Sequence, residues 1–275
     1  MQNEASRISV LVLVYKKSLQ ESVTLSSLTN LPASMRGQIQ LVVRDNSPVS
    51  QIELGALESF GFTQVILDHN GKNQPLGLVY RNFSAIATGS IVLFWDDDTE
   101  INLGYIEEVI EAIDSGYGSK IVCVPRVLDR SGRLFSPSVY GIFSGRHFSH
   151  LNPGPYKNLN AIMSGLALSR TYLTSLGPEA FSLRPRLYGI DTMFMCAHAN
   201  ADGTTIACRS EITHSLSRDH PKPFIDQLNR NWQEAQGIAW TVFLYRRNWV
   251  ILLPFYLLYF LVIRICMALI QSIKS

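Results

Sequence analysis

Short, dense apolar runs alternate with amphipathic stretches through the first half of the chain. Ile8–Val14, Ile39–Val43, Val65–Leu67 and Ile91–Trp95 have the β-branched and aromatic content of buried strands. Leu19–Leu31, closed by Pro32, and Leu78–Thr88, stopped by Gly89, carry apolar residues at helical spacing. A further helix is expected across Tyr105–Ile113. Such alternation implies an α/β fold, a mostly parallel sheet with helices on both faces. Ligands of these sheets bind beyond the C-terminal ends of the strands. The second half is less regular. Arg130–Pro155 predicts long loops, Ala161–Leu168 another buried strand, and Asp191–Ala199 a helix whose Asp191 is either an N-cap or a functional acid.

The pattern changes again near the C-terminus. From Trp249 to Ile263 there is no charge, and only Arg264 interrupts the stretch to Ile270. As a helix this stretch is about 33 Å long, against a hydrocarbon core of about 30 Å. Arg246 and Arg247 flank it, and Trp249, Tyr256 and Tyr259 suit an interface. Three readings compete: a spanning helix, a helix lying in the membrane interface, and a hydrophobic helix at an oligomer contact. The expected division is an α/β domain over 1–235 and a membrane-associating segment over 236–275.

Composition narrows the classes. A net charge of +2 over 275 residues, with the basic residues scattered, argues against a nucleic-acid partner. The four cysteines show no Cys-x-x-Cys spacing and read as reduced thiols, which points to the cytoplasm. Ile8–Tyr15 imitates a signal-peptide core, but Lys16-Lys17 follows and no small-residue cleavage site does.

The candidate chemistry centres on Asp96-Asp97-Asp98, three carboxylates at the end of a strand-like run. Like charges this close raise one another's pKa, and a divalent cation resolves the conflict. A solvated turn is the alternative. Asp45 falls at another strand end, in Val42-Val43-Arg44-Asp45-Asn46-Ser47.

In order along the chain, the strand Ile8–Tyr15, the Asp45-Asn46-Ser47 element, Gly77-Leu78-Val79-Tyr80-Arg81-Asn82 with Ala87-Thr88-Gly89, and the aspartate triplet resemble a family 2 glycosyltransferase of the GT-A (Rossmann-like) fold. The resemblance spans residues 6–215. It implies a nucleotide-sugar donor bound by Asp45, Arg81 and Asp96, and Mn²⁺ or Mg²⁺ held by Asp98 with Asp96, Asp97 being a spacer. It places Asp191, in Tyr188-Gly189-Ile190-Asp191, as the base that deprotonates the acceptor; the usual preceding acid is Ile190 here. His214 matches a position near the metal or the diphosphate in some relatives, and a structural histidine is the alternative. With the tail, the resemblance implies a hexosyltransferase-type enzyme at the cytoplasmic face of a bacterial inner membrane. Its acceptor would be a lipid-linked saccharide of surface polysaccharide such as O-antigen or capsule. The rivals are a nucleotidyltransferase, disfavoured because Tyr15-Lys16-Lys17-Ser18 lacks the glycines of its phosphate loop, a non-catalytic membrane scaffold, and a polyprenyl-phosphate sugar transferase.

Overall fold

A computed structural model describes residues 6–115, 117–129, 131–139, 146–184, 186–213 and 224–245, with 250, 251, 253–255, 257, 258, 261 and 262 beyond them. The elements run β1 (Ile8–Val14), α1 (Val23–Thr29), α2 (Ala33–Arg36), β2 (Ile39–Asp45), α3 (Leu54–Glu58), β3 (Gln64–His69), α4 (Leu76–Ile86), β4 (Ile91–Asp96) and α5 (Leu103–Asp114). They continue with β5 (Ile121–Leu128), β6 (Leu134–Ser136), β7 (Ser138–Val139), β8 (Arg146–His147), β9 (Gly154–Tyr156), β10 (Leu159–Asn160) and β11 (Ala167–Ser169). Last come α6 (Arg170–Leu176), α7 (Ile190–Asn200), β12 (Thr204–Thr213) and α8 (Phe224–Tyr245).

Among the described residues the main sheet has nine strands in the order β3-β2-β1-β4-β11-β5-β12-β9, with β6 on β5. The strands β1–β4 are mutually parallel, β5 and β12 are parallel to each other, and β11 runs antiparallel between β4 and β5. Period-two alternation divides the strand side chains between two apolar layers. Ile8, Val10, Val12, Leu41, Val43, Leu93 and Trp95 pack beneath α1 and α5. Leu11, Val42, Val92 and Phe94 pack against α4, α6 and α7, where Phe94 meets Tyr80, Phe83 and Phe181. The expected α/β architecture with helices on both faces is what forms.

Local expectations fare unevenly. The helix expected over Leu19–Leu31 is shorter, because Ser22 accepts a hydrogen bond from the Leu25 N–H and so starts α1 only at Val23. Ala161–Leu168 is not one strand. Gly165, at φ +87°, turns the chain, with its N–H on the Phe94 carbonyl at 2.7 Å, so only Ala167–Ser169 enters the sheet. The loops expected over Arg130–Pro155 contain short strands, and β10, β7 and β8 make a small second sheet. α8 runs unbroken through residue 235. Among the described residues no helix is long and apolar enough to cross a membrane. Most of Trp249–Ile270 lies outside the described residues, as does His214. Cys123, Cys196 and Cys208 are buried.

One buried titratable group gives the fold a pH dependence. His198, near the end of α7, places Nδ1 at 2.8 Å from the Tyr172 hydroxyl. Burial, and secondarily the Lys157 charge, lowers its pKa from 6.5 to about 4. The unfolded chain therefore takes up a proton below 6.5 that the folded chain refuses until about 4. Stability is full above that window and falls through it, by about 3 kcal/mol. Denaturant melts at neutral pH and in the acid part of this window should show the loss, and His198→Gln should flatten it.

Candidate active site

The C-terminal ends of β1, β2 and β4 form the candidate site. In the parallel register Asp45 stands beside Val14, and Asp96 beside Leu13 on the other flank of β1. Asp45 and Asp96 are thus two strand spacings apart, about 10 Å. Asp45 is fully buried, with Oδ1 accepting from the Ser47 N–H at 2.9 Å, while its Oδ2 has no hydrogen-bond partner among the described residues. Buried carboxylate oxygens are ordinarily hydrogen-bonded, so this one sets Asp45 apart from the structural carboxylates.

The aspartate turn is fixed by its backbone. The Thr24 hydroxyl is shared between the Asp96 and Thr99 carbonyls, and Ser22 Oγ donates to the Asp97 carbonyl at 3.1 Å. From the other side, Ser164 Oγ accepts from the Asp96 N–H at 3.2 Å and meets the Thr99 hydroxyl at 3.1 Å. Asp97 is more than a spacer. Its carboxylate takes the Lys17 ammonium at 2.6 Å and the Tyr15 N–H at 3.1 Å, tying the loop after β1 to the end of β4. Asp96 and Asp98 bring hard oxygen ligands of the kind Mn²⁺ and Mg²⁺ accept alongside phosphate oxygens. Among the described residues no group of three or more His, Cys, Asp or Glu side chains gathers for a metal. Two carboxylates completed by a diphosphate fit such an ion.

Asp191 arrives from the second half of the chain. The cap of α7 is Gly189 at φ +90°, and Asp191 lies in the first helical turn, so the N-cap reading of Asp191 is corrected. Buried Tyr80, on α4, lies within electrostatic range of both acids. Its pKa is pushed well above the usual tyrosine range, first by burial and then by the Asp96 and Asp191 carboxylates. Asp96 and Asp191 thus both lie within electrostatic range of one buried side chain, although 95 positions separate them in sequence.

Arg81 is placed differently. Its Nε donates to the Phe181 carbonyl at 2.7 Å and Nη2 reaches Glu179 at 3.3 Å, so the guanidinium braces α4 against the segment before α7.

Two contributors were not singled out by sequence. Arg44, almost fully buried, donates Nε to Asn46, Nη1 to Asp68 and Nη2 to Asn70, each at 2.8 Å, and Nη2 also to the Lys72 carbonyl at 3.0 Å. Asn46 in turn accepts from the Gln74 N–H and donates to its carbonyl, so the loop over 69–76 is fastened beside Asp45. The other contributor is α8. A Cβ on Gly237 would lie 2.4 Å from the Tyr188 carbonyl oxygen, and one on Gly189 would lie 2.8 Å from the Gly237 Cα. Arg230 and Arg184 extend that contact, stacking on Tyr188 at 5.5 Å and on Trp240 at 4.6 Å. The elbow that presents Asp191 therefore rests backbone to backbone on α8.

Solved structures share this fold. GalNAc-T7 with UDP, GalNAc and Mn²⁺ superposes with a TM-score of 0.58 at 14% identity, covering 78% of this chain and 44% of that one. S. aureus TarS 1–349 in complex with UDP gives 0.57 at 17% identity, covering 87% of this chain and 66% of that one. TarS 1–349 in complex with UDP-GlcNAc gives 0.55 at 15%, covering 88% and 74%. The chain thus spans less than half the length of the GalNAc-T7 structure. At these identities the likeness concerns the fold, which is GT-A-like. No curated protein matches the chain. The model of the family described as glycosyl transferase family 2 matches residues 9–177, more than half of the sequence, and the chain belongs to that family.

Proposed function

We propose that the protein is an inverting, metal-dependent glycosyltransferase that moves a sugar from a nucleotide-sugar donor to a hydroxyl of a lipid-linked saccharide. Glycosyl transfer itself follows from the family. The observation that supports the finer reading is the placing of Asp45 and Asp96 at neighbouring strand ends, with Asp191 on a separate helix that lies within electrostatic range of the same Tyr80 as Asp96. One acid belongs to the donor side and the other to a separate helix. That division is what a displacement reaction between two substrates needs.

In this reading Asp45 lines the nucleoside site, and Asp96 holds the ribose. Asp98, with Asp96, would hold Mn²⁺ or Mg²⁺, which when bound offsets the charge that grows on the departing diphosphate. Asp191 accepts the proton of the acceptor hydroxyl as its oxygen attacks the anomeric carbon. The bond to the diphosphate breaks as the new bond forms, so the configuration inverts. Donor complexes among proteins of the same fold support a nucleoside diphosphate. The uncharged C-terminal stretch supports a lipid-linked acceptor at the cytoplasmic face of a bacterial inner membrane, in surface-polysaccharide synthesis.

The test is release of nucleoside diphosphate by the purified chain from a panel of nucleotide sugars, with and without Mn²⁺. Turnover with one donor, abolished by chelation and lowered on the order of a hundredfold by Asp98→Ala, is the expected result. Metal-independent turnover, or full activity in Asp98→Ala, would sink the metal assignment. No turnover with any donor, with or without an added lipid extract, would remove the transferase reading.

A further inference from the structure

α8 exposes large apolar side chains while it buries several polar ones. Its buried positions include Asn231, Glu234, Gly237 and Thr241 beside Ala235 and Val242, whereas Ile225, Trp232 and Phe243 are 69%, 56% and 57% exposed, on a face they share with the exposed Asp226, Asn229 and Gln236. Seven and eighteen residues apart at about 100° per residue, these three lie within about 20° of one line along the helix. That line extends about 27 Å at 1.5 Å per residue. The described residues beyond α8 continue the theme: Ile251, Phe255, Leu258 and Val262 are exposed at successive spacings of four, three and four. Ordinary surface helices turn such residues inward. Here the inner face is already committed to the elbow before Asp191, through Gly237 against Tyr188 and Gly189.

Charge says what covers this face. After Glu234 the chain has no acidic residue, while Arg246, Arg247, Arg264 and Lys274 follow. A helix face that exposes Ile225, Trp232 and Phe243, followed by a sequence whose only charges are cationic, is complementary to an anionic bilayer. A second copy of the chain would meet the same excess of positive charge.

We propose that the outer face of α8 is a bilayer-docking surface for anionic lipid, so that the helix supporting the Asp191 elbow itself lies on the membrane. The docking stands on exposure and charge alone. Its use, bringing the elbow to a hydroxyl of a lipid-borne acceptor, rests on the proposed transfer reaction. This extends membrane contact from the tail into the domain, where Trp232 and Phe243 enter the interface beside the machinery they serve.

The experiment is co-sedimentation of the full chain with vesicles of phosphatidylcholine mixed with phosphatidylglycerol, and with vesicles of phosphatidylcholine alone. Donor turnover is measured in parallel without vesicles. The chain should pellet with the mixed vesicles and bind more weakly to the neutral ones or in high salt. A variant carrying I225D, W232D and F243D should bind the mixed vesicles at least about tenfold more weakly with an unchanged circular-dichroism spectrum. Trp232→Gln alone should weaken binding about threefold, which keeps the test decisive if the triple variant misfolds. Parental binding by Trp232→Gln and by a folded triple variant would overturn the proposal. So would vesicle-free self-association that these substitutions abolish, with no binding to lipid. Lost binding with retained donor turnover supports docking. Vesicle binding that follows the variants in a chain without donor turnover also supports docking, and counts only against the transfer reaction.

Discussion

An Asp191→Asn variant is expected to lose between about a hundredfold and ten-thousandfold of its sugar transfer while remaining folded. The amide keeps the size and the hydrogen-bonding reach of the carboxylate but cannot accept the proton of the attacking hydroxyl. Stability should change little, because the helix cap is Gly189 and not Asp191. An acid in the first turn gains only about 0.3–1 kcal/mol from the helix dipole. Two measurements decide the matter: the rate of product formation with the donor found active, and the midpoint of denaturant unfolding. Retained transfer with a large drop in the midpoint would reassign Asp191 to helix stability.

Arg44→Met should give the largest loss of stability of any single substitution near the site, about 2–4 kcal/mol by denaturant unfolding. The guanidinium is buried and serves Asn46, Asp68, Asn70 and the Lys72 carbonyl together. Methionine fills much of the volume and leaves those acceptors without a donor. Arg44→Lys should rescue little, since one ammonium cannot reproduce a planar fork that reaches several acceptors at once. Asp68→Asn should cost less, because the Asp68 side chain is 40% exposed and water replaces part of what it gives. A loss below 1 kcal/mol for Arg44→Met would show that the loop over 69–76 is held by other contacts.

These two residues also mark the limits of reading the chain from its sequence. Asp45 and Asp96 were legible because four apolar runs alternating with helices fix a parallel sheet, and a parallel sheet fixes where its strand ends lie. Asp191 was legible only through a family pattern. Its place relative to the strand ends depends on how α4 and α7 pack over the same sheet face, which no local spacing encodes. Arg44 escaped notice because a charged residue between Val43 and Asp45 reads as the frayed end of a strand. In the fold it is drawn inward by partners on a different loop. Gly237 reads as a weak point in a helix, and becomes a contact only when Tyr188 and Gly189 are brought against it. β11 was misjudged in extent because Ala161–Leu168 is apolar throughout. Gly165 makes it a turn followed by a short strand.

The position of β11 has a consequence for how the chain matures on the ribosome. β1, β2, β3 and β4 pair among themselves as they emerge, but the outer edge of β4 waits for β11. About 70 residues separate the end of β4 from the start of β11. At about 5–20 residues per second that is roughly 4 to 14 seconds of synthesis. Throughout that interval an apolar strand presents unpaired backbone groups, the kind of edge that recruits other chains. In the nascent protein that edge closes when β11 joins β4 to β5 and the strands beyond.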